Sequence, residues 1–188
     1  GKVSKYMNTL LKSAVVAKKT TFNGTKKNNY YVIADPLLRF WYKAVYPNQS
    51  RIVANPDMVF VEIKPDLHKA VQFGFEEVCL LYLDKLNRLG KLGVVYPEIQ
   101  TFKADKTKLG RSVEIDGLSE INGHLLVVEC KYRKSKFTLE MLRHLQESDS
   151  IFNSELIRDY YLFSKAGFTE DIQENVNIHL IDLKTMLS

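Results

Sequence analysis

An α/β protein is the fold class this sequence predicts: a mixed sheet flanked by helices, with a smaller basic segment in front. Three observations lead there. First, a helical apolar spacing over 66–91 is followed by strand-type runs at 98–104, 113–120 and 124–132; a helical pattern at 138–150 then precedes strands at 159–164 and 176–183. The order α-β-β-β-α-β, then α-β, suits a sheet covered by helices. Second, the run HLLVV at 124–128 is apolar on both faces, as expected of a central strand. Third, residues 1–50 carry nine Lys/Arg against one Asp, whereas residues 51–188 carry eighteen against twenty-one acidic residues. That asymmetry predicts two units, the first facing a polyanion.

The elements follow in order. Residues 2–12 suit a short helix with Val3, Tyr6 and Leu10 inward. VVAKKTTF and NNYYVIAD read as strands joined through NGTKKN, whose Asn23-Gly24 pair supports a turn. Helix, strand, lysine-bearing turn and strand form the back half of a winged helix, so the chain is expected to begin inside a larger protein. Asp35-Pro36 is a helix start, because Asp caps free amides and Pro at the first helical position loses no bond. Pro47 and Asn48 are expected to end that helix. The predicted organisation is therefore a partial winged helix and connecting helix over 1–48, a linker over 49–64 and the sheet domain over 65–188. In the long helix, Leu67, Val71, Phe75, Val78, Tyr82, Leu86 and Leu89 are expected inward, with Gly90 and Gly93 as the stop. A short helix near 169–174 precedes the last strand.

At 188 residues and 45% hydrophobic, the chain can build a sizeable core. No apolar run approaches membrane-spanning length and no signal peptide opens the chain. Cys79 and Cys130 make no disulfide framework, so a reduced, cytoplasmic setting is expected. The four histidines show no zinc spacing and are assigned no role. No Gly-rich phosphate loop is present, so no ATP site is expected in this chain.

The chemistry concentrates in EIDGLSEINGHLLVVECK, residues 114–131. Asn122-Gly123 is a strong signal for a two-residue turn. That turn sets a register in which Asp116 faces Glu129 and Glu114 faces Lys131, all four on one face, with Ile115, Leu126, Val128 and Cys130 on the other. Two opposed carboxylates at the end of a buried strand are destabilising unless something positive lies between them. A divalent, oxygen-preferring metal, Mg²⁺ or Mn²⁺, resolves the conflict, since Mg²⁺ is held by one or two carboxylates with water and phosphate completing its shell. Lys131 then reaches a phosphate or a nucleophilic water. The same pattern also suits a solvated strand face with Lys131 paired to Glu114.

Asp116 followed by Glu129-x-Lys131 on the next strand resembles the PD-(D/E)XK restriction-endonuclease-like superfamily. More specifically, YYVIADPLLRFWYKAVYPN, FGFEEVCLLYL, LGRSVEIDGLSE, VVECKY and YYLFSKAGFTED resemble, in that order, the C-terminal region of prokaryotic archaeal-type AAA+ ATPases. Ile115 stands where the motif's Pro would be. The resemblance implies a restriction-endonuclease-like sheet domain, metal binding by Asp116 and Glu129, and a catalytic role for Lys131. It adds a helix glutamate, Glu76, with Glu77 as runner-up. It also implies an N-terminal ATPase domain in the full-length chain.

Three functions fit these expectations. The first is a Mg²⁺-dependent deoxyribonuclease domain. The second is a catalytically idle DNA-binding or regulatory module of the ATPase. The third is a scaffold docking the ATPase through the FWYKAVYP helix. In the first two, Lys18, Lys19, Lys26 and Lys27 of the N-terminal hairpin bind DNA through its phosphates.

Overall fold

The computed structural model describes residues 1–22 and 29–188. The chain divides into two compact units. The first holds residues 1–20 and the chain up to Gly74, and the second holds Phe75–Ser188 together with Thr21 and Phe22. The division falls within the helix Pro56–Arg88.

In the first unit, α1 (Lys2–Lys12) leads into an antiparallel pair, β1 (Val16–Thr20) and β2 (Asn29–Ile33). Val3 and Tyr6 were expected inward on α1 but are 78% and 66% exposed, because no side chains close over that face among the described residues. α2 (Pro36–Phe40) starts as read: the Asp35 carboxylate accepts from the amides of Leu37 and Leu38 at 2.7 and 3.0 Å. The helical path does not stop at Pro47. It widens through Trp41–Val45, tightens to a 3-10 turn at Tyr46–Asn48 and continues into α3 (Gln49–Ala54).

Much of the stretch read as linker is therefore helical. α4 runs Pro56–Arg88, ten residues longer at its start than the 66–91 expected. Asn55 and Pro56 act as a helix start rather than a break, the Asn55 side chain accepting from the Met58 amide at 3.2 Å. Pro65 sits inside the helix, where it removes one backbone donor without ending the turn sequence.

In the second unit a five-stranded mixed sheet has the order β3-β4-β5-β6-β7. Its strands are β3 (Gln100–Ala104), β4 (Val113–Ile121), β5 (His124–Lys131), β6 (Ile157–Ser164) and β7 (Ile178–Asp182). The first three strands are antiparallel neighbours, and β6 and β7 join in parallel. The parallel step from β5 to β6 requires a crossover, supplied by α5 (Leu139–Asp149), capped by Thr138.

β5 lies in the middle, and Leu125, Leu126, Val127 and Val128 are all fully buried. Their alternation splits the core in two. Leu125 and Val127 pack in a cluster with Leu142 and Leu145 of α5, while Leu126 and Val128 pack with Phe75, Cys79 and Leu83 of α4. The buried stripe of α4 is thus Phe75-Cys79-Leu83, with Asn87 binding the Tyr96 backbone. Val71, Val78 and Leu89, expected inward, are exposed. No helix forms at 169–174, because that backbone is used elsewhere: the Thr169 amide donates to Phe137 O, and Phe168 bridges Phe137. A short α6 (Leu183–Leu187), capped by Asp182, closes the chain.

Candidate active site

The β4–β5 hairpin turns at Asn122 and Gly123, with φ of 49° and 80°, the left-handed pair that a two-residue turn requires. The register is the one read from the sequence, from Ile121↔His124 to Gly117↔Val128. There the described ladder ends. Beyond it β4 follows β3, with Ile115↔Phe102 and Glu114↔Lys103. β5 follows β6, with Glu129↔Leu162 and Lys131↔Ser164. The charged residues stand where the β4–β5 ladder ends.

A β-bulge produces the departure. Gln100 pairs with Leu118 and Phe102 with Ile115, so two steps on β3 match three on β4. The extra residue lies at Asp116-Gly117. Bulges re-aim side chains and recur beside active sites. Ile115 consequently packs in the α5-side cluster with Leu118, not with Leu126, Val128 and Cys130 as simple alternation requires. Gly117 keeps the bulge tight: a Cβ there would stand 2.8 Å from Leu80 Cδ2 and 3.0 Å from Ile99 Cγ2 and Val128 Cβ.

Freed from the ladder, Asp116 takes a different bond. Its Oδ2 accepts from the Cys130 amide at 2.7 Å, a carboxylate standing where a strand carbonyl would be. Burial pushes the Asp116 carboxyl well above the usual range, and the charges of Glu129 and Glu76 push it further, against the Cys130 amide and Lys131. Glu76, on α4, is raised from 4.5 to about 7, by burial first and then by Glu114, Glu129 and Glu77, with Lys131 opposing. Burial alone would lower Lys131; the Glu129 charge and hydrogen bond, with Asp116, outweigh it and hold the ammonium above its usual range. The Lys131 ammonium contacts Glu129 Oε1 directly.

Glu76, Asp116, Glu129 and Lys131 therefore act on one another as one electrostatic cluster. Glu114 and, more weakly, Glu77 adjoin it through their charges on Glu76. Glu114 does not face Lys131. It pairs with Lys103 at 3.3 Å, because β4 has β3 as its partner at this end. Cys130 is a buried core thiol, with Cys79 beside it on α4. Of the N-terminal lysines, Lys18 and Lys19 lie on β1 opposite Tyr31 and Tyr30, and Lys26 and Lys27 lie outside the described residues. Among the described residues no three His, Cys, Asp or Glu side chains form a ready-made metal cage. A Mg²⁺ site needs only one or two carboxylates from protein.

Beside Glu129 and Lys131 opens a cavity of about 540 Å³, walled by Arg111, Arg133 and α5 residues including His144. Sequence reading assigned these three no role. The basic loop KADKTKLGR, residues 103–111, was the available signal for Arg111 alone.

Residues 41–147 match the DUF234 family, described as archaeal and bacterial proteins of unknown function. The chain belongs to that family. The region this DUF234 chain shares with its family includes Glu76, Asp116, Glu129 and Lys131. Its sequence is also similar to an uncharacterized protein, MJECL04, of Methanocaldococcus jannaschii, at 25% identity over 186 residues and 95% of this chain. The DUF234 chain spans 40% of that relative's length. The crystal structure of a protein of unknown function, AF1548, overlaps 48% of this chain and 50% of its own, at 17% identity and a TM-score of 0.32, too loose a likeness to carry an argument. Among the described residues no helix is long and apolar enough to cross a membrane.

Proposed function

We propose that this chain carries a metal-dependent site for hydrolysis of DNA phosphodiester bonds. The observation that carries the reading is the crowding of three carboxylates, Glu76, Asp116 and Glu129, around a single ammonium, with Asp116 and Glu76 pushed toward their protonated forms. Fully ionised, those four groups sum to a charge of −2. A half-buried excess of negative charge on hard oxygen donors fits a hard divalent cation. Asp116 and Glu129 would hold Mg²⁺ or Mn²⁺, with Glu76 as the third carboxylate. When bound, such an ion polarises a phosphoryl oxygen and acidifies a water.

The protein groups contribute the rest. Lys131 stays charged because Glu129 and Asp116 outweigh its burial. It therefore serves as a donor to negative charge that builds on a phosphoryl oxygen, not as a base. The Cys130 amide fixes the Asp116 carboxylate on the sheet, so orientation is set before substrate arrives. Lys18, Lys19, Lys26 and Lys27 are proposed as sequence-independent phosphate contacts. Replacing all four is expected to weaken DNA binding on every sequence and flatten its salt dependence. The relative's greater length fits an N-terminal ATPase domain as the partner in the full-length chain.

The test is thermal melting with and without Mn²⁺, beside cleavage assays on circular and linear DNA. The wild type is expected to gain stability from millimolar Mn²⁺ by mass action. Asp116→Asn should lose that gain and any cleavage, while Lys131→Met should keep most of the gain and lose about two to three orders of magnitude in cleavage rate. Indifference of the wild type to Mn²⁺, with Asp116→Asn destabilised, would mean a structural charge cluster. Metal stabilisation without cleavage of any nucleic acid would favour the idle, DNA-binding module.

A further inference from the structure

We infer that the cavity beside Glu129 and Lys131 holds a backbone phosphate of the nucleic-acid strand next to the cleaved bond, gripped by Arg133 and His144. The inference rests on the reading that Glu129 and Lys131 face that bond. The cavity is shared: the same opening of about 540 Å³ is lined by Glu129 and Lys131 at one end and by Arg133, Thr138, Met141, His144 and Leu145 along its walls. Its volume is of the size that takes one small ligand group, not a protein surface.

The charges on its walls are the second observation. Arg111 is already committed, donating to Glu147 at 3.1 Å and to Ser148 at 3.2 Å. Glu114 is held by Lys103, and Glu140 sits in the first turn of α5, where a carboxylate complements the helix dipole. Arg133 and His144 differ. Both are exposed, and neither side chain has an ion pair or hydrogen bond among the described residues. Arg133 also stands close enough to Lys131 to act against its charge. Arg133 and Lys131 are like charges lining one opening, and an anion between them relieves that repulsion. A guanidinium presents a planar fork suited to phosphate oxygens. Met141 and Leu145 give the same cavity an apolar floor, suited to the sugar that accompanies a backbone phosphate. An anion joined to an apolar body, next to a phosphodiester site, is a nucleotide unit of the substrate strand.

The experiment measures fluorescence anisotropy of a short labelled DNA strand on the full chain, with Ca²⁺ in place of Mg²⁺ to suppress turnover. Variants are Arg133→Gln, His144→Gln and their combination. Arg143→Gln is the control, because Arg143 is exposed on the same helix but does not line the cavity. Arg133→Gln is expected to weaken binding about tenfold, the loss of one charge-assisted contact. His144→Gln is expected to weaken it about threefold, and Arg143→Gln less than about twofold. Wild-type affinity in Arg133→Gln overturns the inference, as does an equal loss in Arg143→Gln or no measurable binding by the wild type. Affinity that depends on Arg133 with no cleavage under any metal would leave the phosphate seat standing and remove the hydrolytic reading. Cleavage whose KM is indifferent to Arg133→Gln would do the reverse.

Discussion

Between Ile121↔His124 and Gly117↔Val128, the β4–β5 hairpin is a regular ladder, and every residue of Leu125–Val128 is fully buried. One residue further along, Asp116 and Glu129 share no rung, while β4 keeps its pairing with β3 and β5 its pairing with β6. The same two strands thus hold a core at one end and a charged opening at the other. In the first half, stability and geometry agree: turn, alternation and burial all favour one register. In the second half the geometry opposes stability, because carboxylates are gathered where water is scarce. A departure from local rules that persists in a well-packed sheet points to function rather than to packing.

Four measurements sharpen or break that contrast, beginning with the largest effect. Leu126→Ala, in the regular half, should cost about 2–5 kcal/mol of unfolding free energy in denaturant melts, since it leaves a cavity between β5 and α4. A cost under about 1 kcal/mol would mean the two halves do not differ in packing. At the junction, Gly117→Ala should cost about 1–3 kcal/mol, because its Cβ would press on Leu80, Ile99 and Val128. If the variant were as stable as the wild type, the bulge could relax freely and would not be what aims Asp116.

In the open half the effect is one of pH. Glu76 has its proton held more tightly in the folded chain than in the unfolded one, from 4.5 up to about 7. The folded state therefore binds more protons through that interval, and metal-free stability should fall as pH rises across it. Asp116, raised by burial and by Glu129, works in the same direction. Glu76→Gln should flatten part of the slope in melts run in chelator, and an unchanged slope would remove Glu76 from the cluster. The smallest effect belongs to Lys103→Ala. Its bond to Glu114 joins two side chains that are both more than half exposed, so the loss should stay under about 1 kcal/mol.

Much of the regular half was legible before any coordinates. Asn122-Gly123 named the turn, the turn set the register, and HLLVV marked the central strand. Asp116, Glu129 and Lys131 could be grouped for the same reason. The bulge was not legible. VEIDGLSE counts one residue per step, and nothing in it says that Asp116-Gly117 takes two residues for one, which is why Ile115 was assigned the wrong face and Glu114 the wrong lysine. Long-range pairing decided both: Lys103 meets Glu114 only because β3 lies on that side of β4. The early part of α4 was hidden because 49–64 reads as a linker, where the chain instead uses Asn55-Pro56 to start a helix. Arg133 and His144 lie on no recognisable pattern and meet only because α5 crosses beside the end of β5.

The bond from the Cys130 amide to Asp116 has a spectroscopic consequence. Most amides of a sheet interior report on the main chain opposite them. This one reports on a carboxyl group, and on one whose proton or metal occupancy is the central question at the site. Its nitrogen-15 and proton chemical shifts should move when Asp116 is protonated or takes a cation, while the amides of Leu126 and Val128, bonded within the regular sheet, stay in place. The chain thus contains its own indicator, one that reads the state of the site without turnover or substrate.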